Sequence, residues 1–540
     1  MKLRNLANKF LLVMLLAVLA LGNYAFNLTA VWVGTPTNLT TAAVVSSKTY
    51  YLDQFNDNQP TGETLYEALG ITVYNDYLTA LSATQDLNEV VIAVVDTGLD
   101  CTSPVFTDRI LSDYAVDFSR GIPAAADNTW YVDKNGHGTH VAGIIADATP
   151  ANVKILPIKI FDGVNNSVND GAALENAIRW LCMLKSGTEG KLAYCVENYG
   201  NEETRETSEY YNKKHNKIEN LVAVNLSIGT NGFNCKLVNA EGYNQTKANF
   251  TSDKADQQRI IDNLLKNDIL PIAAAGNRGS GEDNGEAYYC LPGACDGVLA
   301  VSAYDNTIND YELASFSYYN NCIGVAAPGA EIWSICSSKI LNSYDLWGEV
   351  NGYQYYKKGR VNRKDSIGVC TVIKDSAGNY YLRDSGTSMA TPFVTACYAL
   401  LMSDSSKSTA ADFGLTSWDP QGEDAGFMNV VHKALLAAAA TDGDHLDEGY
   451  EITFGYGTVD VGGFVPDSTT GSVRPLNDIG YETQPSTNYQ NASFENNTVV
   501  YRDTDWTAVC IVLAIGILLI WAVNRFKEYA MRRKTDEDEQ

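Results

Sequence analysis

Val90-Val91-Ile92-Ala93-Val94-Val95, followed by Asp96-Thr97-Gly98, decides the fold class. A short, unbroken, mostly β-branched run reads as a strand buried on both faces, and Asp-Thr-Gly closes it with a turn. Runs of the same kind recur at 154–160, 221–226, 269–275 and 298–302. Helical patterns lie between them, chiefly at 138–146, 170–185 and 254–266. Buried strands alternating with helices predict an α/β architecture, a parallel sheet covered on both faces. In such sheets chemistry gathers beyond the carboxyl ends of the strands. Asp96 and Asn277 both fall just past such ends.

The 540 residues allow one large core or two ordinary ones, and 45% apolar content with 32 Tyr reads as globular. A formal net charge of −26 argues against nucleic acid or an anionic lipid surface as the main partner, and only weakly favours basic substrates. Two apolar segments bound the chain. Lys2, Arg4 and Lys9 precede the run 10–21, and small residues Ala20 and Gly22 follow, the three parts of a signal peptide over 1–23. An uncleaved anchor running on to Val33 is the alternative. Residues 506–523 are apolar for about the length of a bilayer crossing, and Arg525, Lys527, Arg532, Arg533 and Lys534 follow, which puts the tail 524–540 in the cytoplasm. The expected layout is an extension at 24–65, a main domain at 66–465 with insertions at 186–220 and 338–383, a polar stalk at 466–505, and one transmembrane helix. That places the main domain outside the cytoplasm, on the cell membrane. Of 11 cysteines, Cys510 falls in the span and ten lie where disulfides persist. The nearest pairs are Cys290 with Cys295, Cys182 with Cys195 and Cys322 with Cys336; buried thiols are the other reading.

Asp384-Ser385-Gly386-Thr387-Ser388-Met389-Ala390-Thr391-Pro392 precedes an apolar, helix-forming run to Met402. Ser388 is expected in the opening turn of a buried helix, among N–H groups with no partner inside it. Such donors can hold negative charge growing on an attacked carbonyl oxygen. Read blandly, Ser388 is a serine near a helix cap, since a serine nucleophile needs a base. Asn135-Gly136-His137-Gly138-Thr139-His140 supplies the candidate. Two histidines three apart could share a metal, but no Glu lies between them and the chain has only five His, so His137 reads as a base and His140 as a packed structural residue. Asp96 is either a turn cap or the carboxylate that orients an imidazole. Ala273-Ala274-Ala275-Gly276-Asn277 ends a strand in an amide able to donate to an oxyanion.

Taken in order, VVDTGLD, NGHGTHVAG, VNLSIG, AAAGN, AAPG and SGTSMATP resemble the motifs of the subtilisin-like serine peptidases, over about 69–460. Other serine hydrolases carry their triads in other chain orders. The resemblance implies a three-layer fold with a central, mostly parallel sheet flanked by helices, and a serine endopeptidase acting through an acyl-enzyme. It implies that Asp96 orients, that His137 is general base and then acid, and that Ser388 attacks. Asn277 and the Ser388 N–H would form the oxyanion hole. Ser227-Ile228-Gly229 and Ala274-Ala275-Gly276 would line the groove and pair with an extended peptide or protein substrate. An imidazole of ordinary pKa would make the rate fall below about pH 6–7.

Three departures stand out. The loop that often supplies a tight calcium site after this histidine is missing, since Ala146-Asp147-Ala148 leads almost directly to the strand at Lys154. No cofactor is required on this reading, and any calcium would sit elsewhere; the acidic loop 442–448 does not match an EF-hand and reads as a solvated turn. The region ahead of the resemblance is short for the usual propeptide. Cys290 falls where the resemblance puts the base of the primary specificity pocket, and a bridge to Cys295 would narrow it. Signal peptide, peptidase domain, stalk and span together are similar to the layout of the mycosins, which adds a secretion machinery to the candidate partners. A different class of function, a binding ectodomain on a retired peptidase scaffold, is motivated by the two insertions and the short leading region.

Overall fold

The computed structural model describes Leu52, residues 64–467 except 122–127, 163–171, 188–216, 240–243, 280–285, 308–311, 351–352, 359–370, 416–426 and 442–450, and Val473. The expected signal peptide, nearly all of the 24–65 extension and the stalk, the 506–523 span, the tail, most of the 186–220 insertion and the 442–448 loop lie outside these residues. Among the described residues no helix is long and apolar enough to cross a membrane.

The predicted strands assemble as one seven-stranded sheet. β1 (Val90–Asp96), β2 (Val116–Asp117), β3 (Val153–Lys159), β4 (Leu221–Leu226), β6 (Leu270–Ala274), β8 (Leu299–Tyr304) and β9 (Ile323–Pro328) take the order β2-β3-β1-β4-β6-β8-β9. Every neighbouring pair is parallel. All seven β1 residues are buried, as an unbroken apolar run requires when both faces are covered. From β1 the chain crosses to β3 on one side, then returns to β4 on the other. That reversal opens a crevice beyond the carboxyl ends of β1 and β4, where Asp96 and Ser227 sit.

Nine helices are described: α1 (Leu65–Ala68), α2 (Ile71–Ser82), α3 (His137–Ala148), α4 (Ala172–Ser186), α5 (Cys235–Asn239), α6 (Asn244–Leu265), α7 (Thr387–Ser403), α8 (Phe427–Thr441) and α9 (Glu451–Phe454). Ribbon strands β5 (Phe233–Asn234) and β7 (Tyr288–Tyr289) pair with each other. The polar region ahead of β1 hides α1 and α2. Thr64 and Glu67 form a reciprocal cap, and Leu65, Tyr66, Ile71, Tyr74 and Leu78 are buried in the main core. Asn75 Nδ2 donates to the Ala148 carbonyl at 2.8 Å, and Tyr66 donates to Asp147 at 2.9 Å, so this segment closes the C-terminal end of α3.

The 338–383 insertion supplies most of a second sheet. β10 (Ile332–Ile335), β11 (Tyr344–Val350), β12 (Tyr353–Lys358), β13 (Thr371–Lys374) and β14 (Tyr380–Asp384) form an antiparallel sheet in the order β10-β14-β13-β12-β11. β14 runs directly into the turn that begins α7.

Candidate active site

Asp96 ends β1 almost fully buried, and both its carboxylate oxygens face His137 Nδ1, at 2.8 and 3.0 Å. Gly138 makes the approach possible. A Cβ there would stand 2.3 Å from the Gly98 carbonyl oxygen and 3.1 Å from Asp96. The start of α3 is tied down by Asp133, which the sequence reading overlooked. Its buried carboxylate accepts from the Gly136 N–H at 2.8 Å, the Thr139 N–H at 2.9 Å and hydroxyl at 2.6 Å, and the Thr97 hydroxyl at 2.9 Å. The pattern Asp-Lys-Asn-Gly is turn chemistry that could have flagged it.

Ser388 is the second residue of α7, as expected of a serine in the opening turn of a buried helix. Pro392, four residues on, has no N–H to give the Ser388 carbonyl. The Ser227 hydroxyl supplies that bond at 2.8 Å and accepts in turn from Asn225 Nδ2 at 2.9 Å. Thr395 hydrogen-bonds Asn225 Oδ1 at 2.9 Å, so a buried polar chain reaches from α7 through β4 back to Ser388. In return the Ser388 hydroxyl donates to the Ser227 carbonyl at 3.2 Å, and not to His137.

Asn277 Oδ1 accepts from the Thr387 N–H at 2.9 Å and its hydroxyl at 3.1 Å. The Thr387 hydroxyl accepts from the Gly276 N–H at 3.2 Å. With Oδ1 committed twice, the amide orientation is fixed by its partners, and Nδ2 is the donor left for a ligand. Thr387 was not singled out from the sequence; its adjacency to Ser388 was the available signal.

His137, Ser388, Asn277 and Ser227 all line one cavity of about 220 Å³. Ile228, Gly229, Ala274, Gly276 and Cys290 line it too, joined by Thr97, Phe161, Thr230 and Thr387. Ala275 does not. Its side chain is buried against Ala300 and Ile323, and its N–H pairs with Val301 on β8, because alternation along the strand end turns it away from the crevice. The narrowing bridge is also absent: Cys290 is not joined to Cys295, nor Cys322 to Cys336, and Cys195 lies outside the described residues. Cys290 instead points its thiol at the Thr230 carbonyl, 3.3 Å away.

Burial alone would push the His137 pKa down; the facing Asp96 carboxylate, with Asp384 and Asp133 further off, outweighs it and lifts the pKa to about 9. His140, one turn on, is fully buried, and burial pushes it down to about 4. A carboxylate-held imidazole, a hydroxyl on a helix start and an uncommitted amide donor around one cavity are the parts needed for acyl transfer.

Comparison with known proteins agrees with the motifs. The sequence profile of the subtilase family, Peptidase_S8, matches residues 88–457. Over 324 residues the chain is 25% identical to the subtilase-type proteinase RRT12 of Saccharomyces cerevisiae, covering 59% of this chain and 44% of that one. Fervidolysin of Fervidobacterium pennivorans is 24% identical over 388 residues, covering 66% and 43%. A thermophilic serine proteinase of Bacillus sp. strain AK1 is 27% identical over 336 residues, covering 61% and 56%. The chain thus spans about half the length of these relatives. With the profile matching more than half of its residues and the site motifs in order around one cavity, the chain belongs to the subtilase family.

Proposed function

We propose that the protein is a membrane-anchored serine endopeptidase that cuts peptide bonds outside the cytoplasm. Asp96, His137 and Ser388 form its triad. The observation that carries the reading is the 2.8 Å Asp96–His137 pair with its imidazole on the cavity that Ser388 and Asn277 also line. Ser388 Oγ attacks the substrate carbonyl carbon, and its proton passes to His137. Asn277 Nδ2 and the Ser388 N–H take the charge that grows on the carbonyl oxygen. His137 then protonates the leaving amine, and water releases the acyl group by the same route. The groove offers Gly229, Ala274, Gly276 and Cys290 and no acidic side chain among the described lining residues, which suits a small to medium apolar residue before the cut.

The anchoring rests on the apolar segment 506–523 and the basic residues after it. A mycosin-like layout extends the proposal to a secretion machinery as partner. The test is turnover of casein or a peptide library by the full-length chain in detergent, alongside Ser388→Ala. Equal turnover by the two would sink the assignment.

One observation favours the retired-scaffold alternative: the Ser388 hydroxyl rests on the Ser227 carbonyl. Rotation about its Cα–Cβ bond is needed to present it to His137, a rearrangement that resting sites commonly await. Covalent labelling of Ser388 by a fluorophosphonate probe separates the two readings, because a retired site does not react.

A further inference from the structure

We infer that His140 is a positioning residue, holding the helix that carries His137 in fixed relation to the strand that delivers Ser388. The inference rests on the reading of Ser388 as nucleophile. His140 Nε2 lies 3.1 Å from the Ile332 carbonyl oxygen on β10 and 3.0 Å from the Leu382 carbonyl oxygen on β14. Both partners only accept, so Nε2 carries the proton and one N–H spans both strands. In the register of this pair, Ile332 faces Asp384 and Ser334 faces Leu382. Six residues beyond Leu382 the chain reaches Ser388, while His137 stands one helical turn before His140. The imidazole therefore joins the two halves of the site through the antiparallel sheet, by a route that avoids the seven-stranded one.

Further contacts tighten the same junction. The Ser334 hydroxyl donates to the His140 carbonyl at 2.6 Å, and the Ser337 hydroxyl to the Asp133 carbonyl at 2.6 Å. Ser338 N–H donates to Asp100 at 2.8 Å, which ties the inserted sheet to the loop after Asp96 as well. His140 Nδ1 is buried without a hydrogen-bond partner. Packing alone would be served better by an apolar ring, which has no acceptor to desolvate. The polar ring makes sense as a donor to the two strands. His140 is fully buried and does not line the cavity, so His137 is the imidazole of the pair placed to act as a base.

The experiment compares His140→Leu, His140→Gln and Ser334→Ala with wild type in the full-length chain. Turnover on a peptide substrate, fluorophosphonate labelling and thermal unfolding are measured together. Glutamine reaches about as far as histidine and ends in an N–H donor, so His140→Gln should keep kcat within about threefold. His140→Leu should lose about ten- to a hundredfold in kcat with KM little changed, the signature of reacting groups held slightly apart. Ser334→Ala should lose about threefold, and it tests the junction if His140→Leu does not fold. Wild-type kcat in a folded His140→Leu protein, or in Ser334→Ala, would overturn the inference. So would an equal loss in His140→Gln and His140→Leu. A wild-type protein that neither turns over substrate nor labels would instead remove the peptidase reading on which the inference rests.

Discussion

His137 governs how the site should respond to pH. In the proposed mechanism only the neutral imidazole can take the Ser388 proton, and the balance of burial against Asp96, Asp384 and Asp133 lifts its pKa to about 9. Activity should therefore rise through the alkaline range, with the midpoint of kcat/KM near 9 and not at the 6–7 of an unperturbed ring. A profile already flat from pH 6 to 8 would contradict this. Asp96→Asn should move the limb down and cut turnover about 10⁴-fold. The linkage to stability has the opposite direction from activity. Between the unfolded pKa of about 6.5 and the folded value of about 9, the native state binds more protons. Stability from this pair is thus fully present below 6.5 and is lost as pH rises through 9. Unfolding of the Ser388→Ala protein across that range, free of self-cleavage, measures it. At Asn277, replacement by Leu removes the Nδ2 donor and should lower kcat about 10²–10³-fold with little change in KM, a magnitude taken over from subtilisin. Asp96, His137, Ser388 and Asn277 could be singled out from the sequence because each sits in a short motif. Asp133 and Thr387 were not, because the contacts that give them a place in the site, Asp133 with Thr97 and Thr387 with Asn277 and Gly276, are made only by folding.

Pro392 shows how α7 depends on its neighbours. A proline six residues into a helix withholds the N–H that would pair with the Ser388 carbonyl, and Ser227 fills the place from β4. Ser227→Ala would leave that carbonyl unpaired, at a cost of about 1–3 kcal/mol. The expected outcome is a lower unfolding temperature together with slower turnover; an unchanged protein would mean that the carbonyl finds another donor. On α3, Gly143 has the opposite logic to a surface helix glycine. Alanine usually adds up to about 1 kcal/mol of helix propensity. Here its Cβ would stand 2.4 Å from Ser334 Oγ and 2.9 Å from Ile335, so overpacking of about 1–3 kcal/mol should prevail. Gly143→Ala should therefore lower stability, read by denaturant unfolding, and a gain would refute the close packing of α3 against β10. Strands β1, β3, β4, β6 and β8 and helix α4 fall within a few residues of the sequence expectation. Helices α1 and α2 escaped it because their buried faces are split by polar residues. The segment 338–383 was read only as an insertion, since Tyr and Gly mark strands without stating how many will pair.

At the scale of the whole molecule, two buried histidines set an acid limit. His140 and His432 are both held neutral by burial, with pKa values pushed down to about 4. An unfolded chain protonates them near 6.5, so it binds more protons as pH falls between 6.5 and 4, and stability drops. His432 accounts for a loss on the order of 3 kcal/mol over that range, with His140 acting in the same direction. The unfolding temperature of Ser388→Ala should fall steeply between pH 6.5 and 4.5, and less so with His432→Leu added. An unchanged midpoint over that interval would argue against neutral burial. The amino-acid sequence alone determined the parallel sheet, the order of the motifs and the residues with the chemistry for acyl transfer, because buried strands and helix starts are written in local patterns. Tertiary structure decided what those residues touch: the Asp96–His137 pair, the Ser227 bond that completes α7, the turning away of Ala275, and the separate thiols of Cys290 and Cys295. Each joins or parts atoms through backbone geometry set by the packing of the whole core, which no local pattern specifies.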